Sequence, residues 1–287
     1  MILSFHSSLS GASHLPWAEG AKVAAQAGFE AIDIDLWELG DHRPEAVLEV
    51  LEHTGLGAGA ASLPVEFRLD GERFERDLEL LDQRAKLGAA IGVKVMSRSV
   101  PSSGEAPREE TLSVLRQRLR ACMTILQAHG LRLAVEMLGP LHLRQAGPYE
   151  LITDFAQCAD FAASCGPDVG LLVDSWHWHH AGGGDIAAFG DLIFHVHVAD
   201  SPDLPAQMIE DKQRLLPGQG VIDFPTFWRE LEASGYTGLV TPEVHGYSCG
   251  GTPIECASNA RAAVAAVGGP PFTAAASTPP PPPPPQI

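Results

Sequence analysis

Four short apolar runs carry, at or near their ends, side chains able to hold a divalent cation. These are Glu136 in "RLAVEML", Asp174 in "VGLLVDSWHWHH", His195 and His197 in "IFHVHVAD", and Glu243 in "GLVTPEV". In an extended strand successive side chains alternate between faces. Parity then sets Ala134 and Glu136 against Leu133, Val135 and Met137, and groups Leu172 with Asp174. It also sets His195 and His197 against Phe194, Val196 and Val198, and Leu239, Thr241 and Glu243 against Val240, Pro242 and Val244. Three carboxylates and an imidazole brought to one place cost several kcal/mol each to hold out of water without a counter-charge. A divalent cation is the simplest compensation. Oxygen-rich ligation with one nitrogen suits Mn²⁺ first, with Mg²⁺ or Co²⁺ as alternatives, over a structural zinc. Any one of these residues alone reads as a hydrogen-bonded interior group, and their recurrence on four successive strand ends points to a site.

The elements that would position them alternate regularly. Eight β-like runs, "ILSFH", "AIDIDL", "LGAGAASL", "VKVMSR", "RLAVEML", "VGLLVD", "IFHVHVAD" and "GLVTPEV", are separated by longer segments. Among these, "RFERDLELLDQRAKLGAAIG" and "EETLSVLRQRLRACMTILQAHG" place apolar residues at helical spacing with Gly near the end. Strand then helix repeated in this way predicts an α/β fold, a closed parallel (β/α)8 TIM barrel spanning residues 1–268 as one domain, with its chemistry at the carboxyl ends of the strands. From 269 to 287 the sequence becomes Pro-rich, and Pro279 to Pro285 can form neither helix nor ladder. That tail is expected to be disordered, a terminal ornament rather than an SH3-type ligand.

Composition bounds the partners. A chain of 287 residues with 45% hydrophobic side chains can bury a large core. The net charge of -17 repels a phosphate backbone and disfavours nucleic acid. The five cysteines are odd in number and lack the close spacing of zinc or redox motifs, which predicts reduced thiols in a cytoplasm. The start, "MILSFHSSLSGASH", lacks a basic leader region, and no eighteen apolar residues run together, so a cytoplasmic protein without a membrane partner is expected. Assembly into a homo-oligomer is left open.

With these residues in view, the chain resembles the xylose isomerase-like barrels, the AP endonuclease family 2 superfamily, up to about Val267. The resemblance rests on "VEMLGP" around Glu136, "LLVDSWHW" with Asp174 and His177 spaced D-x-x-H, "HVAD" after His197, "RLLPGQGVIDF" from Arg214, and the strand-borne Glu243. The subgroup it looks most like is the sugar phosphate isomerase/epimerase set. The resemblance implies metal ligation by Glu136, Asp174, His197 and Glu243, and contacts from His177 and Arg214 to substrate oxygens. It also implies an enediolate route, with Glu136 and Glu243 as the acid/base pair on a small sugar or polyol. The endonuclease IV type needs three metals and extra early histidines, which "GAASLP" and "VMSRS" do not supply.

Further positions are second-tier. His142 and Arg144 in "LGPLHLR" are either substrate contacts or solvated loop residues. Asp33 and Asp35, on the inward face of the second strand, bind a hydroxyl or satisfy the barrel floor. Trp176 and Trp178 offer apolar faces to sugar C–H bonds or pack under the loop. His179 and His180 read as solvated, and His195 as a hydrogen-bonded core group. "YSCGGT" opens the last loop, where barrels often hold phosphate, but no Lys or Arg stands nearby, which favours an unphosphorylated sugar or cyclic polyol. Two other activities remain open: a metal-dependent lyase or dehydratase on a keto-sugar or inosose, and a non-catalytic metabolite-binding subunit.

Overall fold

The computed structural model describes residues 1–11, 15–68 and 71–269, so the Pro-rich tail lies outside the described residues apart from Gly269. Eight strands, β1 (Ile2–Phe5), β2 (Ala31–Ile34), β3 (Gly57–Ser62), β4 (Val95–Ser99), β5 (Arg132–Glu136), β6 (Val169–Asp174), β7 (Ile193–Val198) and β8 (Leu239–Pro242), coincide with the eight sequence runs. Each pairs in parallel with its sequence neighbours, and β8 pairs with β1, which closes the barrel. The outer helices are α1 (Trp17–Gln26), α2 (Pro44–Thr54), α3 (Gly71–Ala90), α4 (Arg108–Ala128), α5 (Phe155–Cys165), α6 (Ser175–His180), α7 (Phe224–Ala233) and α8 (Pro253–Ala266). A two-stranded antiparallel pair, Ser103–Gly104 with Tyr149–Glu150, is added in the loops.

Local chemistry sets the boundaries. Helix α2 starts on Pro44, whose missing N–H costs nothing in a first turn, and stops at Gly55 with φ of 71°. Asp154, Asp223 and Thr252 cap α5, α7 and α8 by accepting backbone N–H groups. Asp35 does the same for the turn Leu36–Leu39, accepting from Trp37 and Glu38. It sits one residue beyond β2, at the carboxyl end of the barrel, where it lines the central cavity with Asp33.

A correction concerns Phe194. The register of β6 against β7 shifts between Leu171 and Leu172, so Phe194 falls in a bulge. Its ring turns inward and joins Val95, Ala134 and Leu172 in a small cluster that plugs the barrel floor. A Cβ at Gly170 would meet that ring at 2.7 Å, so only glycine fits there. The Arg132 guanidinium lies 4.1 Å above the same ring. The bulge restores the inward direction of His195 and His197. His195 Nε2 lies 2.9 Å from Thr241 Oγ1, in keeping with a hydrogen-bonded core role.

The expectation of wholly reduced cysteines is also corrected. Cys249 and Cys256 are disulfide-bonded, while Cys122, Cys158 and Cys165 are free and buried. Gly250 and Gly251 let the loop fold back on the first turns of α8, which brings the two Cα atoms to 5.3 Å. Among the described residues no helix is long and apolar enough to cross a membrane.

Candidate metal centre and active site

Glu136 and Asp174 end β5 and β6, His197 is the penultimate residue of β7, and Glu243 lies one residue beyond β8. Register aligns them: Asp174 pairs with His197, and His197 with Thr241. One donor atom from each of Glu136, Asp174, His197 and Glu243 lies within 4.8 Å of the others. His197 Nδ1 stands 3.8 Å from Glu136 Oε1 and 3.4 Å from Glu243 Oε2. Both Glu136 Oε1 and His197 Nδ1 are buried without a hydrogen-bond partner. Buried polar atoms are rarely left unmatched, and two of them aimed at a shared point in a carboxylate-rich ring fit a divalent cation.

The electrostatics agree. Burial, with the charge of Glu243, pushes the Glu136 carboxyl well above the usual carboxylate range. Burial acts the same way on Glu243, but His197, His245 and Arg214 overcome it and hold Glu243 well below that range. Burial opposes charge on His197 as well, yet Glu243 and the other carboxylates raise it to about 9. A dication placed among these donors would compete with protons for them.

Arg214, at 4% exposure, is the hub beside this ring. Its Nη1 donates to Asp174 Oδ2 at 2.7 Å and lies 3.2 Å from Glu243 Oε2, and its Nη2 donates to Asp211 Oδ1 at 2.9 Å. Burial raises the Asp174 carboxyl, but Arg214 and then His177 outweigh it and the net shift is downward. His177 follows Asp174 on the first turn of α6, with Nδ1 3.2 Å from the Gly139 backbone N and Nε2 3.3 Å from Arg214 Nη2. That Nε2 stands 3.8 Å from Glu136 Oε1 and 3.9 Å from Asp174 Oδ2, and burial lowers the ring to about 4, so it is neutral.

The mouth opens into a cavity of about 440 Å³ whose lining includes Asp33, Glu136, His177, His197, Arg214 and Glu243. That size admits a small molecule. Asp33 accepts from Ser4 Oγ at 2.5 Å, and burial raises its carboxyl to about 7.

Trp176 and His142 take the packing and solvated alternatives, and the solvated reading of His179 and His180 fails. Trp176 is wholly buried beneath Arg214, whose guanidinium lies 5.5 Å from its ring, so it offers no face to a ligand. His142 is exposed on the single turn Leu141–Arg144, which points Leu143 to the cavity and His142 away. His179 and His180 are half-buried rather than solvated, with His180 4.5 Å from the Trp176 ring and 3.1 Å from Ser201 Oγ. The Gly250 and Gly251 amides point to Ser248 Oγ and Cys249 Sγ inside their own loop, away from any phosphate.

Sequence reasoning missed His6, His245, Asp211, Arg68 and Arg98, all of which line the cavity. His6 Nε2 and His245 Nε2 stand 3.7 and 3.4 Å from Glu243. His6 directly follows β1, so the strand-end test applied to the first run would have found it. Arg68 and Asp211 lie in loops and carried no such signal.

The family model for the xylose isomerase-like TIM barrel matches residues 21–267. The inosose isomerase of Bacillus licheniformis is 32% identical over 124 residues, 42% of this chain and 42% of that protein, so the matched segment spans less than half of the relative. The 3-dehydroshikimate dehydratase of Pseudomonas aeruginosa is 31% identical over 249 residues, 83% of this chain and 37% of that longer protein. Among solved structures, the IOLI protein with a bound zinc atom superposes with a TM-score of 0.79 at 22% identity, covering 93% of this chain and 98% of that one.

Proposed function

This chain belongs to the xylose isomerase-like TIM barrel family, and on that premise we propose that it is a divalent-metal-dependent isomerase or epimerase of a small sugar or polyol. We place it in the cytoplasm, with residues 1–268 as its one catalytic domain. The observation that carries the reading is the pair Glu136 and Glu243 converging with Asp174 and His197 on one point at the cavity mouth. Those four residues would hold the ion, with Mn²⁺ proposed first and Mg²⁺ or Co²⁺ next. Bound there, the cation supplies Lewis-acid stabilisation of charge that develops on substrate oxygen.

The chain's own residues do the rest. One of the two glutamates takes the proton from the carbon beside the carbonyl, and the C–H electron pair becomes the C=C bond of an enediolate as the carbonyl π pair moves onto oxygen. The other glutamate returns a proton to carbon, which closes the isomerisation or epimerisation without any outside reductant. His177, a neutral imidazole between Glu136 and Arg214, orients the substrate oxygen on which charge develops. Arg214 positions the ring through Asp174 and Glu243 and keeps both ionised. The test is a panel of ketoses, inososes and 3-keto-glycosides with the Mn²⁺-loaded protein in D₂O. Deuterium enters the carbon next to the carbonyl if the reading holds, and no exchange with any member rules it out.

A second reading, dehydration or β-elimination from the same enediolate, is favoured by the dehydratase relative, whose match extends over 83% of this chain. NMR of the products separates the two: an isomer of equal mass for the first, loss of water or an aglycone for the second.

A further inference from the structure

Next to the ligand ring, the cavity wall holds two guanidiniums that the isomerase scheme does not use. Arg98 lies near the end of β4 and Arg68 in the loop after β3, and both line the cavity. They share one carboxylate: Glu66 contacts Arg98 Nη2 through Oε1 and lies 3.3 Å from Arg68 Nη2 through Oε2. Two guanidiniums thus share one carboxylate, which leaves N–H donors of the pair without an acidic partner of their own. Arg98 Nε is buried without an acceptor, although buried guanidinium donors are normally matched.

The other carboxylates on this wall keep their charge but direct oxygens to backbone N–H groups rather than to the two guanidiniums. Asp35 Oδ1 accepts the Trp37 and Glu38 backbone N–H groups, and Glu38 Oε1 accepts that of Trp17 at 2.8 Å. Hydroxyls stand ready nearby. Ser99 Oγ accepts from Arg68 Nη1 at 2.8 Å, and Ser97 also lines the cavity. Ser99 pairs in register with Glu136, which places this basic wall beside one of the two glutamates.

We propose that Arg68 and Arg98 form a subsite for an anionic oxygen group, a carboxylate or a phosphate, carried by the hydroxylated ring that the metal centre acts on. The proposal rests on the functional reading above and narrows its substrate class from neutral sugars to ring acids or ring phosphates. Planar guanidinium forks bind such groups through paired N–H donors, which neutral hydroxyls match poorly.

The test is calorimetric titration of the Mn²⁺-loaded full chain with three ring polyols: myo-inositol, its monophosphate and quinate, which carries a carboxylate. At least one anion binds about tenfold or more tightly than myo-inositol, as one charge-assisted pair supplies. Which anion wins identifies the source of the charge. Arg68→Gln and Arg98→Gln each remove the preference while leaving myo-inositol and Mn²⁺ affinities unchanged. Equal or tighter binding of myo-inositol by the unaltered protein, or a preference that survives both substitutions, overturns the proposal. Because the readout is binding, it fails separately from the isomerase reading: loss of deuterium exchange with the preference intact sinks only the latter.

Discussion

The two sides of the barrel mouth handle charge in opposite ways. On the β5 to β8 side, Glu136, Asp174, His197 and Glu243 crowd donors onto one point and are braced by Arg214. On the β3 to β4 side, Arg68 and Arg98 crowd cations around Glu66. The first side gathers carboxylates around one point, and the second gathers two guanidiniums around one carboxylate. A metal ion and an anionic substituent on one ligand would match the unpartnered atoms of both, Glu136 Oε1 and His197 Nδ1 on the first and Arg98 Nε on the second.

The largest break in this comparison comes from the donor side. Glu136→Gln or Glu243→Gln lowers the deuterium exchange rate by about 10² to 10⁴, measured by NMR with Mn²⁺ present. If exchange is unchanged in both, the two-glutamate scheme is wrong. Next, Arg214→Met leaves the buried carboxylate of Asp174 uncompensated. It costs about 3–5 kcal/mol, read from the denaturant midpoint of the metal-free protein. Recovery of that loss by saturating Mn²⁺ would show the ion and Arg214 sharing the same negative charge. Gly170→Ala forces the floor ring of Phe194 aside and costs about 1–3 kcal/mol by the same measurement, while metal affinity stays within twofold. Smallest is Arg68→Gln, whose half-exposed side chain changes stability by only about 0.5 kcal/mol or less, a loss far below that at Arg214.

The same contrast explains what could be read in the sequence. Strand period and strand-end position are local properties, so all eight barrel strands and the four donor residues were legible before any coordinates. The bulge at Phe194 was not, because it depends on how β6 and β7 align with each other. Loop residues carry no period at all. Hence Arg68, Asp211 and His245 escaped notice, and the sequence left His142 open between the cavity and solvent. Trp176 shows a different limit. Its type suggests a sugar platform, but the first turn of α6 places it beneath Arg214, where only packing decides its role. The pairing of Cys249 with Cys256 likewise depends on the fold of a glycine loop, which the parity of five cysteines could not reveal.

The central claim is most directly tested by anomalous diffraction at the manganese edge from crystals grown with Mn²⁺. The account predicts one peak about 2.0–2.3 Å from a single atom of each of Glu136, Asp174, His197 and Glu243. A peak held by Asp33, His195 and His197 instead, the other grouping of donors near the barrel mouth, or no peak at all, would contradict it.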